Sequence, residues 1–297
     1  MNGFVYKDKT HEYLLDTVKM TGVTTVLKSG GDQSNLITWA ATQGAAGAFK
    51  EATLLDPSRL TILSLLINSF KRIDYKATAI IDKEFPEFKK ARLAHATIRD
   101  TAGDTGGDAH QIIEDYEING NIPELDKYSP ESTKRALGYI QWHKDNIEKT
   151  YFVERPLFSR SLFLGGTPDG GFQMKDGKNF INDKKFKTGI HSPHPVWQMA
   201  AYRLMLEEMW QDETTPVRIE WGDGTVEEYK SPKEYLQSFG AVNWDGCVIL
   251  QVNEEGKVEP IFRYAHDVDV ESFKACVHIY RQVQAWPKVN LFKKNLT

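Results

Sequence analysis

The feature that most constrains this chain is a change of hydrophobic period between residues 151 and 210. Segments 151–158, 161–164 and 179–186 are short and rich in β-forming residues, and glycines and Asp176-Gly177 punctuate them, which predicts an antiparallel meander. Residues 194–210 then set Val196, Trp197, Ala200, Leu204 and Met205 on one broad apolar face, opened by two prolines that suit a helix start. Strands leading into such a helix predict an α/β core. Upstream, residues 36–102 read mostly as helix, with Leu60, Leu63, Ile67 and Phe70 on one stripe, so a helical layer over 1–102 is expected before a core over 103–297. Gly103, Gly106 and Gly107 are expected to interrupt that pattern ahead of a short helix. It bears Ala109, Ile112, Ile113 and Tyr116 on one face and His110 with Glu114 on another. A further helix is expected over 132–149, hairpins over 218–229 and 247–264, and a last amphipathic helix through Phe273, Val277 and Tyr280. Residues 12–27 carry β-branched residues ending in Val23-Thr24-Thr25-Val26, which reads as extended chain.

No repeat and no low-complexity tract divides the 297 residues, so one integrated domain is expected. Cys247 and Cys276 are too few for a disulfide framework, a four-thiolate zinc site or an iron–sulfur cluster, and a reducing cytoplasm is the expected compartment. The polar opening residues do not read as a secretory segment, and the longest apolar-rich run, 60–67, is far short of the roughly 20 residues that span a bilayer. Lysine and arginine number 37 against 41 acidic residues, a net charge of −4 that disfavours indiscriminate nucleic-acid coating but leaves room for a local basic groove.

Chemistry concentrates in Gly165-Gly166-Thr167-Pro168-Asp169, followed after thirteen residues by Asp183-Lys184-Lys185. Two carboxylates on neighbouring strands can share a hard divalent cation, which takes oxygen ligands and leaves positions to water and substrate phosphate. Lys185 lies two positions after Asp183 and on a strand projects to the same side. There an ammonium holds an attacking water and offsets charge in a phosphorane-like transition state. Each part also has a plainer reading: Asp169 after Thr-Pro is a good turn residue, and Asp183-Lys184-Lys185 alone is a common solvated cluster. From Lys175 to Lys187 five lysines oppose two aspartates, an excess of positive charge suited to a polyanion.

Pro168-Asp169 followed by Asp183-x-Lys185 resembles the PD-(D/E)xK nuclease motif, and its surroundings resemble the RecB-type and phage-exonuclease branch of that superfamily. Gly107-Asp108-Ala109-His110 with Ile113-Glu114 is similar to the upstream G-x-x-H-x-x-x-E helix of that branch, whose histidine is an additional metal ligand. Gln198 and Tyr202 match its Q-x-x-x-Y helix, and Gly22-Val23-Thr24-Thr25-Val26-Leu27 resembles its S-V-T-T-I-L opening strand. The likeness runs over residues 11–286, with 214–242 standing out as a private insertion.

The resemblance implies a restriction-endonuclease-like core, a mixed central sheet flanked by helices, with the helical N-terminal layer as one wall of a DNA channel. It implies a deoxyribonuclease dependent on one or two Mg²⁺ or Mn²⁺ ions, held by His110, Asp169, Asp183 and the carbonyl of Lys184, with Asp169, Asp183 and Lys185 catalytic. Glu114 is expected to orient His110 or the lysine, and Glu154 to support the site. Gln198 and Tyr202 are expected to support it and to contact the nucleic-acid backbone, as is Lys187. Lys184 stands where the family usually has an apolar or aromatic residue, so its strand is expected to be more exposed than the family norm. No iron–sulfur cluster and no ATP are implied, since a P-loop is lacking, so a helicase, single-strand-binding or annealing protein is the partner expected beside DNA itself. Exonucleolytic hydrolysis of single-stranded DNA or DNA ends, in recombination, repair or phage DNA processing, is the leading expectation. A structure- or sequence-specific endonuclease and a non-catalytic DNA-binding module are the alternatives. Trp221 and Trp244 are expected to pack rather than to stack on bases.

Overall fold

The computed structural model describes residues 3–30, 48, 50–51, 54–69, 75–87, 89, 94–186, 192–240, 243–264 and 267–285. The chain divides into two units, one of Met1–Gly31 with Gly106–Thr297 and one of Asp32–Thr105. It opens with strands β1 (Phe4–Lys7), β2 (Glu12–Leu15), β3 (Val18–Lys19) and β4 (Thr21–Gly22), followed by α1 (Val23–Gly30). The unit Asp32–Thr105 carries α2 (Pro57–Asn68) and α3 (Tyr75–Glu84). Asp56 caps α2 by accepting from the N–H groups of Ser58 and Arg59, and Pro57 fills its first turn. Next come α4 (Ala94–Asn119), which from Gly106 onward belongs to the first unit, and α5 (Pro130–Asn146), capped by the Ser129 hydroxyl. The strands β5 (Ile147–Val153), β6 (Leu157–Ser159), β7 (Leu164–Gly166), β8 (Gly170–Met174) and β9 (Asn179–Lys185) then lead into α6 (His194–Gln211). The chain finishes with β10 (Val217–Glu220), β11 (Val226–Tyr229), α7 (Pro232–Ser238), β12 (Gly246–Val252), β13 (Val258–Arg263) and α8 (Asp267–Ala285).

The fold is α/β with mixed sheets. The central sheet has the order β13-β12-β9-β8-β5, in which only β9 and β12 run parallel. Side chains of β9 alternate between its faces. Phe180 joins Ile112 and Ile113 of α4 and Tyr139 and Ile140 of α5, whereas Ile181 joins Met199 and Met205 of α6 and Phe273 of α8. The sheet is therefore covered on both faces. That explains why β12, Gly-Cys-Val-Ile-Leu-Gln-Val, is buried along its whole length and reads as a nearly continuous apolar run.

Several expectations are corrected. The chain's opening carries the four short strands β1–β4 rather than part of a helical layer, because Phe4 and Tyr6, and Tyr13 and Leu15, are buried at period two. Val23-Thr24-Thr25-Val26 is helix rather than extended chain: Val23, Val26 and Leu27 are buried at i, i+3 and i+4, and that helical spacing overrides β-branched propensity. Gly103, Gly106 and Gly107 do not interrupt the pattern; α4 runs through them. Residues 161–163 form a turn in which Phe163 has φ 52° and Ser159 Oγ accepts the N–H of Leu162. Segment 214–242 is not peripheral. Its β10 pairs in parallel with β1, Phe4 opposite Val217, and completes a second sheet of order β11-β10-β1-β2-β3. Among the described residues no helix is long and apolar enough to cross a membrane.

Candidate metal centre

Sheet register assembles the site. The β8–β9 pairing of Gly170 with Asn182 brings Asp169 opposite Asp183, and the β5–β8 pairing of Val153 with Gly170 brings Glu154 opposite Asp169. Three carboxylates thus lie in a row at one end of three adjacent antiparallel strands. The Glu154 N–H donates to the Asp169 carbonyl across 3.3 Å, while Glu154 itself has the left-handed backbone, φ 47°. From α4, His110 reaches over the row, its Nδ1 3.8 Å from Asp169 Oδ2. One ligand atom each from His110, Glu154 and Asp169 lies within 4.8 Å of the others.

Asp183 completes the row but is turned to Lys185, as their shared strand face predicts. Lys185 Nζ lies 2.7 Å from both carboxylate oxygens, donating to Oδ1 and ion-paired with Oδ2. The converging triad is His110, Glu154 and Asp169, so Glu154, expected only to support the site, joins two of the expected ligands. The Lys184 main chain serves two of these groups. Its N–H donates to Asp169 Oδ2 at 2.6 Å, and its carbonyl faces the His110 ring.

Charge is crowded here. Burial, and then the nearby Asp169, push the Glu154 carboxyl up to about 9. Burial raises Asp183 to about 6 despite the pull of Lys185, with Asp169 adding to the rise. Burial works to raise Asp169 too, but His110, Lys185 and Lys184 outweigh it and hold that carboxyl below its ordinary range. Burial lowers His110, so the imidazole is predominantly neutral near pH 7 and has a lone pair to offer. A neutral imidazole and two or three crowded carboxylates are a donor set that a hard or borderline divalent ion fits, and the nitrogen favours Mn²⁺ over Mg²⁺.

Lys184 corrects the expectation of an exposed strand. Its side chain is 3% exposed and projects from β9 to the face opposite Lys185, where Nζ pairs with Glu117 Oε2 at 2.7 Å. Tyr139 donates its hydroxyl to Glu117 Oε1 at 2.6 Å, and the ammonium lies 5.4 Å from the Tyr139 ring centre. Burial opposes the Lys184 charge, but Glu117 and Asp169 outweigh it and raise its pKa. Glu117 was not anticipated. The available signal was its position seven residues after His110 and three after Glu114, on the same stripe of α4. Glu114, expected to orient His110 or the lysine, lines a cavity of about 450 Å³ with Glu154, Arg155 and Trp221 and lies near enough to Lys184 to feel its charge, while the direct hydrogen bond to that lysine comes from Glu117.

Gln198 and Tyr202 share a face of α6, and Gln198 Nε2 donates to the Tyr202 hydroxyl at 2.9 Å. Both line a cleft of about 570 Å³ with His11, Lys19, Thr24 and Gly165-Gly166-Thr167. Tyr202 is only 2% exposed, so of the pair Gln198 is the better placed for a partner in solution. Trp221 and Trp244 pack against the core, as expected: Trp221 lies edge-on to Tyr6 and Trp244 edge-on to Tyr151 and Phe152. Lys187 lies outside the described residues. Neither a scan of this chain against protein-family models nor a search among curated proteins finds a match.

Proposed function

We propose that this chain is a divalent-metal-dependent nuclease of the PD-(D/E)xK type that hydrolyses phosphodiester bonds in DNA. The carrying observation is the convergence of His110, Glu154 and Asp169, from three separate elements, within 4.8 Å beside the Asp183–Lys185 pair. A mixed sheet covered by helices on both faces also suits the restriction-endonuclease-like core that the resemblance implies. His110, Glu154 and Asp169 would hold Mg²⁺ or Mn²⁺, with Asp183 next in the row. When bound, such an ion supplies an activated water and neutralises charge on the phosphate.

The chain's own groups divide the remaining work. The Lys184 N–H fixes Asp169, and burial keeps His110 neutral. Asp183 holds the Lys185 ammonium on the face of β9 where it can orient the attacking water and offset charge developing on the scissile phosphate. Gln198, supported by Tyr202, faces a cleft wide enough for a backbone contact. Exonucleolytic action on single strands or ends, and a setting in recombination, repair or phage DNA processing with a helicase or single-strand-binding partner, follow from the resemblance.

The test is cleavage of end-labelled single-stranded, blunt duplex and closed circular DNA in Mg²⁺, Mn²⁺ or EDTA. Metal-dependent loss of linear DNA with the circle intact is the expected result. Cutting of the circle would make the enzyme an endonuclease, and binding without cleavage would make it a non-catalytic module.

A further inference from the structure

Glu154 reaches the metal triad from a backbone conformation that an L-residue seldom adopts, φ 47°, and such a conformation persists only where neighbouring contacts over-determine it. On one side the Glu154 N–H is tied to the Asp169 carbonyl. On the other side stands Arg155. Its Nη1 lies 2.8 and 2.7 Å from the two oxygens of Glu227, a residue of β11. Glu227 is fixed in turn, accepting from Trp221 Nε1 at 2.9 Å and from the Tyr229 hydroxyl at 2.7 Å. The guanidinium also lies 5.0 Å from the Trp221 ring centre and 5.5 Å from that of Phe239, so ring faces and a carboxylate hold it together.

All of these partners come from segment 214–242. We propose that Arg155 and Glu227 are positioning residues: they clamp the chain immediately after Glu154 to the second sheet and hold the Glu154 carboxylate on the metal. Segment 214–242 is then a working part of the centre. Arg155 acts through Glu154 alone, since its own charge is spent on Glu227. This inference rests on the metal-centre reading above.

The experiment is a double-mutant cycle read by calorimetric titration of the full chain with Mn²⁺, alongside thermal unfolding. Arg155→Met keeps an unbranched side chain of similar reach without the charge, and Glu227→Gln keeps the shape of the partner, so both variants are expected to fold. Each is expected to weaken Mn²⁺ binding about tenfold, as loss of an orienting partner does. In a Glu154→Gln background the same changes are expected to add no further loss, a non-additivity that general destabilisation does not produce. Unchanged Mn²⁺ affinity in both single variants, or losses that simply add to that of Glu154→Gln, would overturn the clamp while leaving the metal centre standing. A wild-type chain that binds no Mn²⁺ would instead overturn the metal centre, and the clamp with it.

Discussion

Glu154 couples proton binding to folding at one carboxyl. Its pKa rises from 4.5 to about 9 on folding, so between those values the folded metal-free protein keeps a proton that the unfolded chain has lost. Stability from this group is complete below 4.5 and is lost as pH rises through about 9. Thermal unfolding of metal-free protein is therefore expected to shift downward from about pH 5 to 9, with a shallower slope in Glu154→Gln. A slope unchanged by the substitution would contradict this. The Lys184–Glu117 pair makes a second prediction. Lys184→Met strands a buried carboxylate and is expected to cost about 3–5 kcal/mol in urea unfolding, whereas Lys184→Met with Glu117→Leu is expected to cost less than Lys184→Met alone. Asp183 and Lys185 stand out in the sequence because residues two apart on a strand share a face, Asp169 because it lies just across the β8–β9 pairing, and His110 through the resemblance of its helix. Glu154 was legible only as a supporting residue, and Glu117 not at all, since a lysine in a charged run gives no local sign that it is buried.

Within elements, period was a better guide than composition. α1 formed where β-branched residues suggested extension, because its buried positions recur at helical spacing. α4 ran through glycines that suggested a break. Those glycines differ from Gly138 of α5 in what a methyl group would meet. At Gly107 nothing lies within 4 Å, whereas at Gly138 the Gly256 carbonyl of the β12–β13 turn is already in the way. Gly107→Ala is accordingly expected to stabilise the protein by about 0.5–1 kcal/mol through lower backbone entropy in the unfolded state. Gly138→Ala is expected to destabilise it by forcing that turn off the helix. Denaturant midpoints with unchanged slopes would measure both, and equal signs would contradict the contrast.

For the whole molecule, the order of strands along the chain did not reveal which strands pair. The hairpins β10–β11 and β12–β13 were legible because their partners are near in sequence, but the expected meander is redrawn. Segment 151–158 breaks into β5 and β6, β6 pairs with β7 in a third sheet of order β4-β7-β6, and β5 and β9 are joined by β8, a strand that was not expected. The parallel pairing of β1 with β10 joins the chain's first strand to a segment that looked like an insertion, and hydrophobic period carries no information about so distant a partner. Ile219, fully buried on β10, is expected to behave as a core residue, with Ile219→Ala costing about 2–5 kcal/mol; a peripheral insertion would lose almost nothing. On the proposed function, the row Glu154–Asp169–Asp183, with His110 and Lys185, hydrolyses DNA with a bound divalent ion. The most direct test is single-turnover cleavage of end-labelled linear DNA in Mn²⁺ by wild type, Asp169→Asn and Lys185→Met. Cleavage that EDTA abolishes and that either substitution slows by about 10²–10³-fold or more is the predicted result. Wild-type rates in both variants, or no cleavage by wild type in any metal, would contradict it.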